Sequence, residues 1–279
     1  MSRKFSIAAV AAISLALTAC GGSSSSDTTV AEETGNSTPI EQVDLTFQPM
    51  SAGKLTVCSD VPYEPFEYQD DAGKWTGFDM DLMAAVAQRY GLALEVSKQA
   101  FDTILVAVNA GKCDVVASSV TITDERKKNV LFSDPYFDAD QSLLVLKENV
   151  DTYVDLAALA GKTVGVQSGT TGEIYAKDNI KDTTTKVQSF EDATAMFLAL
   201  ESKQIDAVLQ DYPINAFRAV KQGTSAVTAK FPTGEQYGFA TALENTDLQS
   251  AINESLNTFH AQGTYDEIFK KYFGDPNAG

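Results

Sequence analysis

The sequence predicts an α/β protein of two lobes, each a mostly parallel sheet flanked by helices. Three observations carry this. From about residue 54, short apolar strands alternate with amphipathic helices, and that order calls for parallel sheets covered on both faces. The series strand, helix, strand, helix, strand occurs twice, with no sequence repeat between the two halves. Residues 54–274 are long enough for two medium domains.

In the first series "KLTVCSD" reads as a strand. "GFDMDLMAAVAQRYG" reads as a helix with Phe78, Leu82, Met83, Val86 and Tyr90 on one side and Gly91 placed to stop it. "LALEVSK" is a strand, "FDTILVAVNAG" a helix, "CDVVASS" a strand and "SLLVLKEN" an extended run. The second series is "LAALAG", "KTVGVQSG", "TTGEIYAKDN", "TTKVQSF", "EDATAMFLALESKQ" and "IDAVLQD". Ser189, three residues before Asp192, is the expected cap of its long helix. "YGFATAL" adds a strand, and the chain ends in two helices, the last capped by a Thr264 and Glu267 box.

The N-terminus reads as an export signal over residues 1–20. Arg3 and Lys4 precede the apolar run "FSIAAVAAISLAL", which is too short for a comfortable membrane span. "LTAC" resembles a bacterial lipobox, which makes Cys20 the lipidated first residue of the mature chain and implies a lipid anchor outside the cytoplasm. Residues 21–50 are rich in Gly, Ser and Thr and are expected to be a flexible tether. About 30 such residues reach roughly 30 Å. Loss of residues 1–20 removes two cations and no acid, moving the net charge from −17 to −19. So acidic a chain has no phosphate-neutralising surface for nucleic acid. Beyond Cys20 only Cys58 and Cys113 remain. An oxidising compartment favours a disulfide between them, although two buried thiols are equally ordinary.

Ligands of open α/β sheets sit outside the carboxyl ends of the strands, and here every strand end is polar. The first series offers Asp60, Tyr63, Phe101, Ser118, Ser119, Thr121 and Arg126; the second offers Gln167, Thr170, Thr171 and Asp211. One cation, two carboxylates, hydroxyls, aromatics and a Gly-Thr-Thr turn opening a helix suit a free α-amino acid. Its carboxylate needs a guanidinium and helix-start N–H groups. Its ammonium needs a carboxylate, because neither charge is buried cheaply alone.

Each residue alone has a plainer reading. The hydroxyls of 118–121 cap a helix, Arg126 is a surface charge beside Lys127 and Lys128, and Tyr63 and Phe101 are core aromatics. Glu64 and Glu67 read as solvated or structural, and His260 as a surface residue of the C-terminal helix. The coincidence at five strand ends is what favours a site. No Cys/His cluster supports zinc, Asp70-Asp71 is too small for calcium, and "GTTGE" lacks the lysine of a phosphate loop. No cofactor or metal is expected.

"SDVPYEPFEYQDDAGKWTGFDMDL", "SSVTITDERKKNVLFSDPYF", "GKTVGVQSGTTGEIY", "IDAVLQD" and "QGTYDEIFKKYFG" together resemble bacterial extracellular solute-binding family 3, over residues 54–274 in unbroken order. The resemblance implies a monomeric two-lobe clamp with two hinge crossings, near 141–145 and 234–239. Lobe one is expected over 51–141 and 238–279, and lobe two over 142–237. The clamp would close on a free L-amino acid and dock on an ABC permease. By resemblance Arg126 grips the α-carboxylate, assisted by Thr121 and by Thr170 and Thr171. Asp211 holds the ammonium near Ser119, Tyr63 and Phe101 sandwich the side chain, and Asp60 meets its distal group. Gln167 stands where the family varies, so glutamine and the basic amino acids remain open. Two other roles share the scaffold, a sensory receptor and a periplasmic cyclohexadienyl dehydratase with Glu173 as its glutamate.

Overall fold

The computed structural model describes residues 39–275. The expected signal segment, Cys20 and the expected tether up to residue 38 lie outside the described residues. Residues 39–50, expected within the tether, are instead seated on the body. Val43 donates its N–H to Arg89 O at 2.8 Å, and the Phe47 ring stands edge-on to Tyr90 at 5.2 Å. Apolar Ile40, Val43 and Phe47 give this stretch its burial.

The first half runs β1 (Lys54–Ser59), β2 (Tyr68–Gln69), β3 (Trp75–Thr76), α1 (Phe78–Arg89), β4 (Ala93–Lys98), α2 (Ile104–Asn109), β5 (Val115–Val116) and β6 (Val130–Phe132). Then follow β7 (Phe137–Leu146), β8 (Thr163–Gln167), α3 (Thr171–Asn179), β9 (Lys186–Phe190), α4 (Ala193–Glu201), β10 (Ala207–Asp211) and α5 (Tyr212–Gln222). The chain closes with β11 (Ser225–Tyr237), β12 (Ala240–Ala242), α6 (Thr246–Gln262) and α7 (Thr264–Phe273).

Two five-stranded sheets result, ordered β4-β1-β5-β12-β6 and β11-β7-β10-β8-β9. Each is mostly parallel, as expected, with four of its five strands running one way and one strand against them. In the first, β1 pairs in parallel with β4 and β5, whereas β12 runs antiparallel to β5 and β6. In the second, β8 pairs in parallel with β9 and β10, whereas β7 runs antiparallel to β10 and β11. The antiparallel strands are the ones next to the two passages between the sheets. In each sheet the parallel strands fan out on either side of a central strand, β1 or β8, so the strand order reverses there and a crevice opens beyond its carboxyl end.

The chain passes between the sheets at 133–136 and again at 238–239. Ser133 N–H donates to Phe239 O at 2.8 Å, and Tyr136 N–H to Tyr237 O at 3.0 Å. Residues 141–145, expected as a hinge crossing, lie inside the second sheet, paired with β10 along their length. The boundary expected after residue 141 therefore falls earlier, because β7 already belongs to the second sheet from Phe137.

Two caps differ from expectation. Asp192, not Ser189, caps α4 by accepting Ala195 N–H at 2.8 Å, and Ser189 Oγ turns instead to Glu173. The first turn of α7 starts from Gly263 with no side-chain cap, and Thr264 Oγ1 is buried without a partner.

Cys58, in β1, is bonded to Cys113, just before β5, with Cα atoms 5.6 Å apart and a sequence separation of 55. A loop of that length contributes about 4 kcal/mol in the chain-entropy account of disulfides. Reduction, or Cys113→Ser, is expected to lower stability by about 2–4 kcal/mol in urea denaturation. An unchanged denaturation midpoint would show that the bond does not constrain the unfolded chain.

Candidate functional site

The carboxyl ends of β1 and β5 meet at a buried hydroxyl pair. Ser118 Oγ accepts Asp60 N–H at 3.0 Å and donates to Glu67 Oε1 at 3.0 Å. Ser119 is forced into left-handed backbone, φ 49°, a conformation that costs a non-glycine residue about 1 kcal/mol or more. Two buried acidic side chains hold it there. Asp79 Oδ2 accepts its N–H at 2.9 Å, and Glu67 Oε2 accepts its hydroxyl at 3.3 Å.

Arg126 lies in the turn before β6 and folds back over the crevice. Its guanidinium donates to Thr121 O at 2.7 Å and to Gly169 O at 3.0 Å, and sits 5.4 Å from the Phe101 ring centre. None of the ion pairs among the described residues includes it. Burial lowers its pKa, against the more distant charges of Asp211 and Glu235.

The second sheet answers from the other side. Gln167, closing β8, donates Nε2 to Asp60 Oδ2 at 2.6 Å. Thr170 caps α3, accepting Glu173 N–H at 3.1 Å and donating to Gln167 O at 2.8 Å. Thr171 opens that helix, where backbone N–H groups have no intrahelical acceptor. Asp211, closing β10, accepts from Tyr63 Oη at 2.9 Å, Tyr237 Oη at 2.6 Å and Gln141 Nε2 at 2.6 Å. The two sides touch at Gly169, φ +76°, where a Cβ would stand 2.9 Å from Asp102 Cα.

All eleven residues expected from the strand ends line one cavity, and Glu67 joins them. The bonds across it, Asp60 to Gln167 and Tyr63 to Asp211, leave room for about one water molecule. Glu67, expected to be solvated or structural, is fully buried in the wall. The only hint in the sequence was its place between Phe66 and Tyr68 in the tight turn after Pro65. Glu64 fits the surface reading and pairs with Lys221. His260 is exposed. Glu173 lies outside the cavity, held by Gly169 N–H at 2.9 Å, Lys177 Nζ at 2.8 Å and Ser189 Oγ at 2.5 Å.

Burial dominates the electrostatics. It pushes the Asp60 carboxyl up to about 6, with Gln167 opposing and Asp192, Asp102 and Glu191 adding to the rise. Burial also raises Asp211, against its bonds from Tyr237, Tyr63 and Gln141. Glu67 is raised well above the carboxylate range by burial and by Asp79, and Asp79 itself to about 7 by burial. Partial burial raises Glu173 too, but Lys177, Ser189 and the Gly169 N–H outweigh it and leave its pKa lowered.

Residues 55–275 match the sequence pattern of the bacterial extracellular solute-binding proteins, family 3. The chain belongs to that family. Over 277 residues it is 33% identical to a probable histidine-binding protein of Neisseria gonorrhoeae, covering 97% of this chain and 96% of the relative. An ancestral arginine-binding protein bound to arginine superposes with a TM-score of 0.75 at 41% identity, over 80% of this chain and 99% of the other. An ancestral arginine-binding protein bound to glutamine gives a TM-score of 0.76 at 38% identity, over 81% and 100%. The two-sheet architecture is thus the two-lobe fold of periplasmic binding proteins. No helix among the described residues is long and apolar enough to cross a membrane.

The raised acids make stability depend on pH. Glu67 and Asp79 keep protons in the folded state that the unfolded chain releases above about pH 4. Unfolding therefore releases protons, and stability is expected to fall as pH rises from about 4 to 7. Glu67→Gln is expected to flatten that fall in urea titrations at pH 5 and 7.5. An equal slope in the variant would mean the pair does not hold the proton.

Proposed function

We propose that this protein is the substrate-binding component of an ABC importer. It captures a polar L-amino acid, glutamine or a basic one, by closing the two lobes, and delivers it to a membrane permease. The observation that carries this is the pairing left undone in the cavity. Arg126 and Asp211 line one cleft, and each is bonded to neutral groups rather than to the other. A zwitterion supplies what both lack, its carboxylate to Arg126 with Thr121 and the Thr171 helix start, its ammonium to Asp211. Tyr63 and Phe101 flank the ligand side chain, and Asp60 meets its distal end beside Gln167. The ancestral relatives holding arginine and glutamine support an amide or a cation there.

Closure would turn on the passages at 133–136 and 238–239, with ligand contacts to both lobes shifting the balance towards the closed form. The protein would act as a monomer and as a binder, not an enzyme. Glu173, the residue a dehydratase would use, is held outside the cavity by three donors and its carboxyl is kept ionised. The lipobox at Cys20 supports a lipid anchor that keeps the body at the outer face of a membrane.

Isothermal titration of protein refolded from denaturant, against the twenty amino acids and ornithine, tests this. Each charge-assisted hydrogen bond contributes about 1.5–3 kcal/mol, enough together for micromolar binding or tighter. Saturable one-to-one binding of one or a few polar amino acids is expected, and no heat with any of them defeats the reading. Arg126→Ala or Asp211→Ala is expected to abolish binding of every amino acid, whereas Asp60→Asn reorders the ligands. Because a cationic side chain needs ionised Asp60, affinity for L-arginine or L-lysine is expected to rise as pH passes upward through about 6. That rise should vanish in Asp60→Asn.

A further inference from the structure

Glu235 was singled out by no sequence signal, yet it stands where four segments meet. It lies on β11 just after Gly234 and a register shift, opposite Ala139 of β7. Its Oε2 accepts from Thr171 Oγ1 at 2.6 Å, from Gln141 Nε2 at 3.1 Å and from Thr121 Oγ1 at 3.2 Å. Thr121 belongs to the first lobe's half of the cavity, Thr171 opens a helix of the second, and Gln141 is on β7. Gln141 gives its other bond to Asp211 at 2.6 Å, so one amide joins the two carboxylates. Its side chain is fully buried, and a Cβ at Gly172 would stand 2.9 Å from its Oε1.

We propose that Glu235 is a positioning residue of the ligand site, which gathers Thr121, Thr171 and Gln141 onto one oxygen and so ties the seating of the crossing strand to the alignment of both halves. The inference rests on the amino-acid reading above. Two consequences separate this role from general support of the fold. Thr121 and Thr171 face the end that every α-amino acid shares, so loss of Glu235 weakens all ligands by the same factor and leaves their order intact. Glu235 also acts in part through Thr171, so the losses caused by removing each overlap and do not multiply.

The test is isothermal titration of wild type, Glu235→Ala, Glu235→Gln, Thr171→Val and the double variant Glu235→Ala/Thr171→Val, with L-arginine, L-lysine, L-histidine and L-glutamine. Circular dichroism melts monitor folding. Glu235→Ala is expected to weaken each bound amino acid by about tenfold or more, as the loss of a hydrogen bond to a charged group does. Glu235→Gln keeps an acceptor oxygen in the same place and is expected to restore most of the affinity. The double variant is expected to lose less affinity than the product of the two single losses. Glu235→Ala within twofold of wild type, a change in ligand order, or losses that multiply in the double variant would each overturn the inference alone. Should Glu235→Ala fold poorly, Glu235→Gln with Thr171→Val gives the same cycle, and losses that multiply there overturn the inference equally. Wild-type protein that binds none of the four, or any other amino acid, overturns the underlying reading and the inference with it.

Discussion

The antiparallel ladder between β7 and β11 carries the site. It runs from the far edge of the second sheet, where Ser225 faces Leu146, to the passage between the sheets, where Tyr237 faces Phe137. At that end Ile122 N–H donates to Gln236 O at 2.8 Å and Gly238 N–H to Val120 O at 3.0 Å, so the Ser118–Thr121 turn is fastened to the same strand. Gln141, Glu235 and Tyr237 all project from these two strands. A ladder fixes its residues to within a fraction of an ångström because a slip of one residue would turn every side chain to the other face. Aromatic rings anchor its first-sheet end. Tyr136 stacks on Phe239 at 4.1 Å, and Phe137 packs on Tyr237 at 5.9 Å.

With the ladder fixed, the central electrostatic constraint is that Arg126 and Asp211 share a cleft without neutralising one another. A contact ion pair would satisfy both charges and leave nothing for a ligand. The structure prevents it by giving each charge neutral partners first, backbone carbonyls for the guanidinium and two phenols and an amide for the carboxylate. The second lobe contributes the helix start at Thr171, whose free N–H groups and dipole favour an anion.

Glu67 and Asp79 form a support behind this arrangement. Neither touches a cation among the described residues, and burial raises the pKa of both. Their bonds go to Ser118, Ser119 and the Tyr136 hydroxyl, the last at 2.8 Å from both Asp79 oxygens. The same bonds hold Ser119 in its left-handed backbone. Strain at this cavity residue persists because the surrounding groups over-determine it.

Much of this was legible in the sequence. The alternation of strand and helix and the polar strand ends follow from local chemistry, because burial period and turn residues act over a few positions. The eleven cavity residues were legible for the same reason, since a strand's last residues must leave the sheet where ligands bind. Five elements were missed, and three of them, β2, β3 and β6, span only two or three residues, too few for a period to show. α5 carried its signals, Pro213 near its start and Gly223 in left-handed backbone at its end. β11 did not, because Pro232, Gly234 and the register shift before Glu235 break the alternation that marks a strand. Tertiary structure alone decided the one reversed strand in each sheet, the seating of residues 39–50 and the roles of Glu67 and Glu235. The roles of Glu67 and Glu235 depend on partners 51 to 114 residues distant in the chain. Sequence pattern records what each residue buries locally, whereas which donor reaches a carboxylate is fixed only when the two sheets are brought face to face.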